Sequence, residues 1–192
     1  PRSQAVAGGL GDGLITGIPG GGTIPDALSN VQRGADQVGR SLANFETTAL
    51  VNMLMLNPDE TLTSPRVLQE VGSSVMVNVH YLYDRFLEAD AEPPPFVESI
   101  WDQYVAFRRE RDANRTISEV HSSHYGHLDE EEARFVTPEL IRECAIVGQP
   151  GDIVEQLTDL EKQGLDGINF IPPVDQQYDI YSKFASEVIQ RM

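Results

Sequence analysis

The sequence predicts an α/β protein in which helices alternate with parallel strands, and three observations carry that prediction. Thr137-Pro138-Glu139-Leu140-Ile141 reads as a capped helix start. Ile153, Val154, Leu157 and Leu160 then fall at helical spacing until Gly164, and residues 168–171 follow as a short apolar strand. The opening residues repeat the order of helix, tight turn and strand, since Ser3-Gln4-Ala5-Val6-Ala7-Gly8 leads into Gly11-Asp12-Gly13-Leu14-Ile15-Thr16. Helix then strand with glycine at each joint is how a (β/α) barrel or a doubly wound sheet is written.

Taken in order, Arg2–Leu10 reads as a helix end stopped by Gly8, Gly9 and Gly11, and residues 14–16 as a strand. Gly20-Gly21-Gly22 follows that strand but lacks the Lys and spacing of a phosphate-binding loop, so it reads as a connector or lid. Pro25 takes the first position of the next helix, with Asp26 where a carboxylate suits the helix dipole. Leu28, Val31, Ala35 and Val38 recur at helical spacing up to Gly39. Residues 45–56 form the clearest strand, nearly all apolar from Ala49 to Leu56, as expected of a parallel strand covered on both faces. Leu14, Ile15, Leu50, Val51, Leu54, Ile168 and Phe170 are therefore expected to be buried in one parallel sheet.

Ser64 and Pro65 open a helix with Val67, Val71, Val75, Val79 and Leu82 on one face. Pro93, Pro94 and Pro95 break it, and a second amphipathic helix follows with Val97, Ile100, Trp101, Tyr104 and Phe107. From residue 114 to 136 periodicity is lost; Arg108-Arg109-Glu110-Arg111 reads as a charged helix end and Asp129-Glu130-Glu131-Glu132 as a solvated helix start. The chain is thus one domain over 1–192 with a helical insertion over 57–136, and a closing helix over 180–189.

A net charge of −16 over 192 residues repels phosphate backbones, so no nucleic-acid partner is expected. The one cysteine, Cys144, excludes an intrachain disulfide or a Cys-rich zinc site and is expected to be a buried, inert thiol. No apolar run approaches the ~20 residues of a membrane span and no signal peptide is visible, so no membrane partner and a cytoplasmic location are expected.

Ala7-Gly8-Gly9-Leu10-Gly11-Asp12-Gly13 and the block over 148–170 resemble the carboxy-terminal part of the luciferase-like flavin or deazaflavin oxidoreductases, and the likeness extends over nearly the whole chain. The resemblance implies a partial (β/α)8 TIM-barrel-like fold holding the equivalents of the last three strands. It also implies FMN or F420 as cofactor and oxidoreductase or monooxygenase action on a small organic substrate. In that family a loop after the fifth strand holds the cofactor phosphate at a helix amino terminus. Pro1-Arg2-Ser3 would end that loop, which makes Arg2 and Ser3 candidate cofactor contacts. Gly11-Asp12-Gly13 precedes its strand, at the stability end of such a barrel, and reads as a tight turn.

In His121-Ser122-Ser123-His124-Tyr125-Gly126-His127 three imidazoles fall within seven residues. The resemblance puts this stretch over the barrel mouth, so His121, His124, Tyr125 and His127 are candidate substrate contacts, as hydrogen-bond partners or general acids. The residues alone leave a metal site or an ordinary surface loop open. No metal is expected, because Gly126 and two serines oppose the helix that the three-residue spacing needs. No carboxylate pair has surroundings that separate acid from base, so no catalytic residue is assigned. Three strands leave open apolar edges, so a homo-oligomer or a complex with the missing amino-terminal half is expected. The alternative is a truncated, non-catalytic relative serving as a homodimeric binding or structural protein.

Overall fold

Helix α1 (Arg2–Leu10) passes into strand β1 (Gly13–Ile18) through a two-residue turn, with the Gly11 amide donating to the Ala7 carbonyl at 2.7 Å. In this computed structural model the described residues are 2–18, 23–89, 92–113, 115–116, 119, 126–172 and 175–192. They divide into two units, Pro1–Met55 with Gly148–Met192, and Leu56–Val147.

In the first unit, helix α2 (Ile24–Val38) has Pro25 in its first turn. The Thr23 hydroxyl accepts from the Asp26 amide at 3.2 Å while the Asp26 carboxylate accepts from the Thr23 amide at 3.3 Å, which satisfies two orphan donors at once. Gly39, at φ 67°, closes the helix in the left-handed region that glycine adopts without strain. Strands β2 (Glu46–Val51) and β5 (Gly167–Asn169) join β1 in a parallel sheet of order β1-β2-β5. Asp166 stitches β5 to β2: its amide donates to the Thr47 carbonyl at 2.8 Å and its carboxylate accepts from the Thr47 amide at 2.7 Å.

One face of this sheet is covered. Leu14, Thr47, Ala49 and Val51 are buried, and Leu14 packs with Ala27 and Val31 of α2. Helices α1 and α2 approach so closely that a Cβ on Gly8 would stand 1.9 Å from the Val31 carbonyl oxygen, and one on Gly34 1.8 Å from that of Ala5. Gly8 and Gly9 therefore do not stop the helix, as their sequence position suggests; α1 runs through both, and Gly8 serves close approach.

The expectation of a sheet buried on both faces is corrected. Ile15 is 73% exposed and Leu50 43%, because strand side chains alternate and the two helices cover only the Leu14 side. The long strand over 45–56 is also broken, at Asn52, into β2 and β3 (Met53–Met55). Leu54 is buried, at 3% exposure, but lies in β3 and not in the three-stranded sheet. Leu54→Ala is expected to cost about 2–5 kcal/mol, read as a lower urea midpoint at unchanged slope. Ile168 and Phe170 are half-buried, and Phe170 lies 5.2 Å from the Tyr181 ring and 5.1 Å from that of Phe184.

The second unit is helical. In α3 (Pro65–Ala89) Val67, Val71, Val75 and Val79 are all buried, as their spacing predicts. After a 3-10 turn at Pro95–Val97 comes α4 (Glu98–Asp112), which buries Ile100, Trp101 and Tyr104. In α5 (Pro138–Cys144), capped by Thr137, the Cys144 thiol is buried and its pKa pushed up to about 12 by loss of water, with the Glu143 charge adding to the effect. Strand β4 (Ile146–Gly148), too short for its period to register in the sequence, leads back into the first unit, to which α6 (Pro150–Lys162) belongs. The chain closes with α7 (Gln177–Glu187). Among the described residues the strands form no closed barrel, and no helix is long and apolar enough to cross a membrane.

Candidate functional site

The register aligns Ile15, Thr48 and Gly167 in one row across the uncovered face, and Gly17, Leu50 and Asn169 in the next row toward the carboxy-terminal strand ends. A Cβ placed on Gly17 would meet nothing within 4 Å, so that row offers an open floor with one apolar side chain and one exposed amide. In open or closed parallel sheets, ligands sit beyond the carboxyl ends of the strands. Sequence patterning missed Thr48, Leu50 and Asn169, because an apolar run does not say which face lacks a cover.

Helix termini at this end differ in their readiness for an anion. Asp26 caps α2, Asp152 caps α6 with its carboxylate accepting from the Gln149 amide at 2.9 Å, and Asp179 occupies the first turn of α7. The Asp26 and Asp152 carboxylates already take the place an anion would want, and Asp179 adds negative charge there. By contrast α1 has no acidic residue in its first turn. Because a two-residue turn joins α1 to β1, the two run antiparallel, and Arg2 and Ser3 lie at the end where β1 finishes. Both side chains are exposed and unpartnered among the described residues. Free amides, a guanidinium and a hydroxyl at a helix start fit a phosphate.

Of the histidine stretch, His127 is described and exposed; His121, His124 and Tyr125 lie outside the described residues. Among the described residues no group of His, Cys, Asp or Glu could hold a metal ion.

The second unit holds a buried charge network that corrects the solvated reading of Asp129-Glu130-Glu131-Glu132, while Arg108-Arg109-Glu110-Arg111 does end α4 but turns Arg108 inward. Arg108 is 2% exposed and Glu132 1%. His80 Nε2 lies 3.0 Å from both oxygens of Glu132; since the ionised carboxylate only accepts, Nε2 carries the donated proton. Arg111 reaches the same carboxylate at 2.9 Å and the Tyr104 hydroxyl donates to it at 3.5 Å. Arg108 donates to the Tyr104 hydroxyl at 2.9 Å and to Asp112 at 2.7 Å. Burial pushes the Glu132 carboxyl upward, but the His80 hydrogen bond and charge, with Arg111 and Arg108, outweigh it and hold it below the ordinary carboxylate range. Burial beside Glu132 raises the Tyr104 phenol, so it stays protonated. Trp101, Tyr104, Arg108 and Arg111 continue one helical stripe, the signal in the sequence that marks these arginines as inward-facing.

A cavity of ≈ 690 Å³ opens nearby, lined by Phe107 with Arg111, Arg115 and Arg134 against Glu110, Glu130 and Glu131. Arg111 pairs with Glu132 at 2.9 Å and Arg115 with Glu131 at 3.4 Å, while Arg134 stacks over Phe107 and Phe135 at 5.0 and 4.8 Å.

The family model for luciferase-like monooxygenases matches residues 1–167. No curated protein matches the sequence. Among solved structures, the coenzyme F420-dependent tetrahydromethanopterin reductase from Methanopyrus kandleri superposes with a TM-score of 0.57 at 16% identity, over 100% of this chain and 48% of its own. An F420-dependent secondary alcohol dehydrogenase, seen with an F420-acetone adduct, gives 0.47 at 16% identity over 98% and 45%. A riboflavin lyase with modified FMN and riboflavin gives 0.45 at 17% identity over 98% and 40%. The chain therefore spans about half the length of the solved structures it matches.

Proposed function

We propose, from the premise that this chain belongs to the luciferase-like monooxygenase family, that it is the carboxy-terminal part of a flavin- or F420-dependent oxidoreductase. In this reading β1, β2 and β5 are the equivalents of the last three strands of a (β/α)8 barrel. They work on a small organic substrate once the preceding strands are supplied. The observation that carries the reading is the coincidence, at one end of the parallel sheet, of an uncovered strand face and a helix start free of acidic residues.

Arg2, Ser3 and the first amides of α1 would hold the cofactor phosphate, Arg2 as a charge partner and Ser3 as a hydroxyl donor. The cofactor, when bound, supplies hydride transfer or oxygen activation. The row of Gly17, Leu50 and Asn169 gives a planar group room at Gly17, apolar contact at Leu50 and one hydrogen-bonding amide at Asn169. By the family resemblance alone, His121, His124, Tyr125 and His127 are candidate substrate contacts.

The exposed Ile15 and Leu50, and a β1 strand without Lys or Pro at the sheet edge, support an assembled state over a free monomer. That same observation favours the second reading, a non-catalytic homodimeric relative, and cofactor uptake separates the two. The test is FMN and F420 fluorescence titration of the purified protein, with light scattering on the same sample. The expected result is a mass above the 21.2 kDa monomer and uptake of one cofactor, weakened about tenfold by Arg2→Ala. A colourless dimer supports the second reading, and a cooperatively unfolding monomer of 21.2 kDa that takes up neither cofactor refutes both.

A further inference from the structure

Residues 126–136 contain no regular structure beyond one 3-10 turn at Ala133–Phe135, yet they are anchored at three points. Leu128 sits in a notch on α3, where a Cβ on Gly72 would come 2.8 Å from its Cδ2. Phe135 is 3% exposed and packs edge-on to Tyr104 at 5.2 Å and tilted to Phe107 at 5.3 Å, both on α4. Between these apolar anchors stands Glu132, its carboxylate bound by His80 of α3 and Arg111 of α4. We propose that residues 126–136 form a strap fastened to α3 and α4 by the buried charge of Glu132, and that loss of this charge frees the strap while the two helices stay packed.

The energetics favour release of the strap over collapse of the unit. Helices α3 and α4 keep contacts of their own, with Tyr83 edge-on to Tyr104 at 6.0 Å and Phe86 edge-on to Trp101 at 5.6 Å. The strap has two apolar anchors and few backbone bonds of its own, so a carboxylate bound by charged partners is a large share of what holds it. A protonated Glu132 would still occupy that site but lose its attraction to Arg111. The strap is thus acid-released: the contribution of Glu132 is present above the unfolded carboxylate range and is lost as pH falls through its lowered folded value. The charged and titratable groups around it are His80 on α3, Tyr104, Arg108, Arg111 and Asp112 on α4, and Asp129 on the strap, which pairs with Arg111 at 3.8 Å. His127 rides on this strap, so the device would set the position of that imidazole whatever its role.

The test is amide hydrogen exchange of the whole chain, wild type and Glu132→Gln, from pH 7 to about pH 2.5, through and below the ordinary carboxylate range, with intrinsic rates corrected. At neutral pH, Glu132→Gln is expected to lower protection over 129–136 by about tenfold while the cores of α3 and α4 are unchanged. Wild-type strap protection is expected to fall in acid before that of the helices, and this pH dependence to vanish in the variant. Unchanged strap protection in the variant would overturn the proposal. So would equal loss across α3 and α4, or the same acid response in both proteins, which would place its origin outside Glu132. If the variant fails to fold, the wild-type profile decides alone: strap and helices losing protection together refutes a separable strap.

Discussion

Gly34→Ala is expected to lower the stability of the protein by about 3 kcal/mol or more, the upper end of overpacking costs. Alanine is worth about 1 kcal/mol over glycine within a helix, so propensity alone predicts a gain at this position in α2. The contact decides the sign. The new methyl would stand 1.8 Å from the Ala5 carbonyl oxygen and 2.6 Å from its carbon, both backbone atoms of α1, and no rotamer change can move them. Helix α1 must shift outward, opening its packing on α2 and the Asn30 to Gln4 hydrogen bond of 2.8 Å. Gly151→Ala is the internal control: it lies in α6 with nothing within 4 Å of the new Cβ, and is expected to raise stability by about 0.5–1 kcal/mol. Urea midpoints of the two variants moving in the same direction would show that α1 and α2 are not in this close contact.

Much of the fold was legible because it is local. The Thr23 and Asp26 cap, Gly39, and the valines of α3 each depend on residues within a few positions, and spacing reveals them. The proline that opens α5 is of the same kind. Four features were not legible. The glycines at 8 and 34 serve a contact between two helices, and in a single sequence a close-approach glycine looks the same as a stop. The apolar residues Ile15 and Leu50 satisfy the pattern of a strand covered twice, whereas the structure covers it once. Asn52 breaks a run whose composition gives no warning. The fourth is the pairing of His80 with Glu132, 52 residues apart, which no periodicity encodes, so an acidic run read as solvated conceals a carboxylate at 1% exposure. For the candidate site, Arg2 and Ser3 came only from the family resemblance, and the contrast with the acidic first turns of α2, α6 and α7 needed the helix boundaries.

Arg108→Ala is expected to cost about 3–5 kcal/mol, as breaking a buried charge network does. The side chain is 2% exposed, donates to the Tyr104 hydroxyl at 2.9 Å and to Asp112 at 2.7 Å, and lies over the Tyr83 ring at 4.7 Å. Truncation would leave a cavity beneath Tyr83 and withdraw a positive charge from the surroundings of Glu132. The Asp112 carboxylate, at 23% exposure, can recover water, whereas the Tyr104 hydroxyl, deeper inside, cannot. Arg108→Lys keeps the charge but cannot serve Tyr104 and Asp112 together with a flat group on Tyr83, so it should lose about 1.5–3 kcal/mol. Arg40→Ala provides the contrast, since its partner Asp12 is fully exposed and solvent screens the pair; its midpoint should not move. Thermal or urea melts of the three variants are expected to rank Arg108→Ala below Arg108→Lys below Arg40→Ala. If Arg108→Ala melts with Arg40→Ala, the guanidinium is solvated and the network does not hold α4 in place.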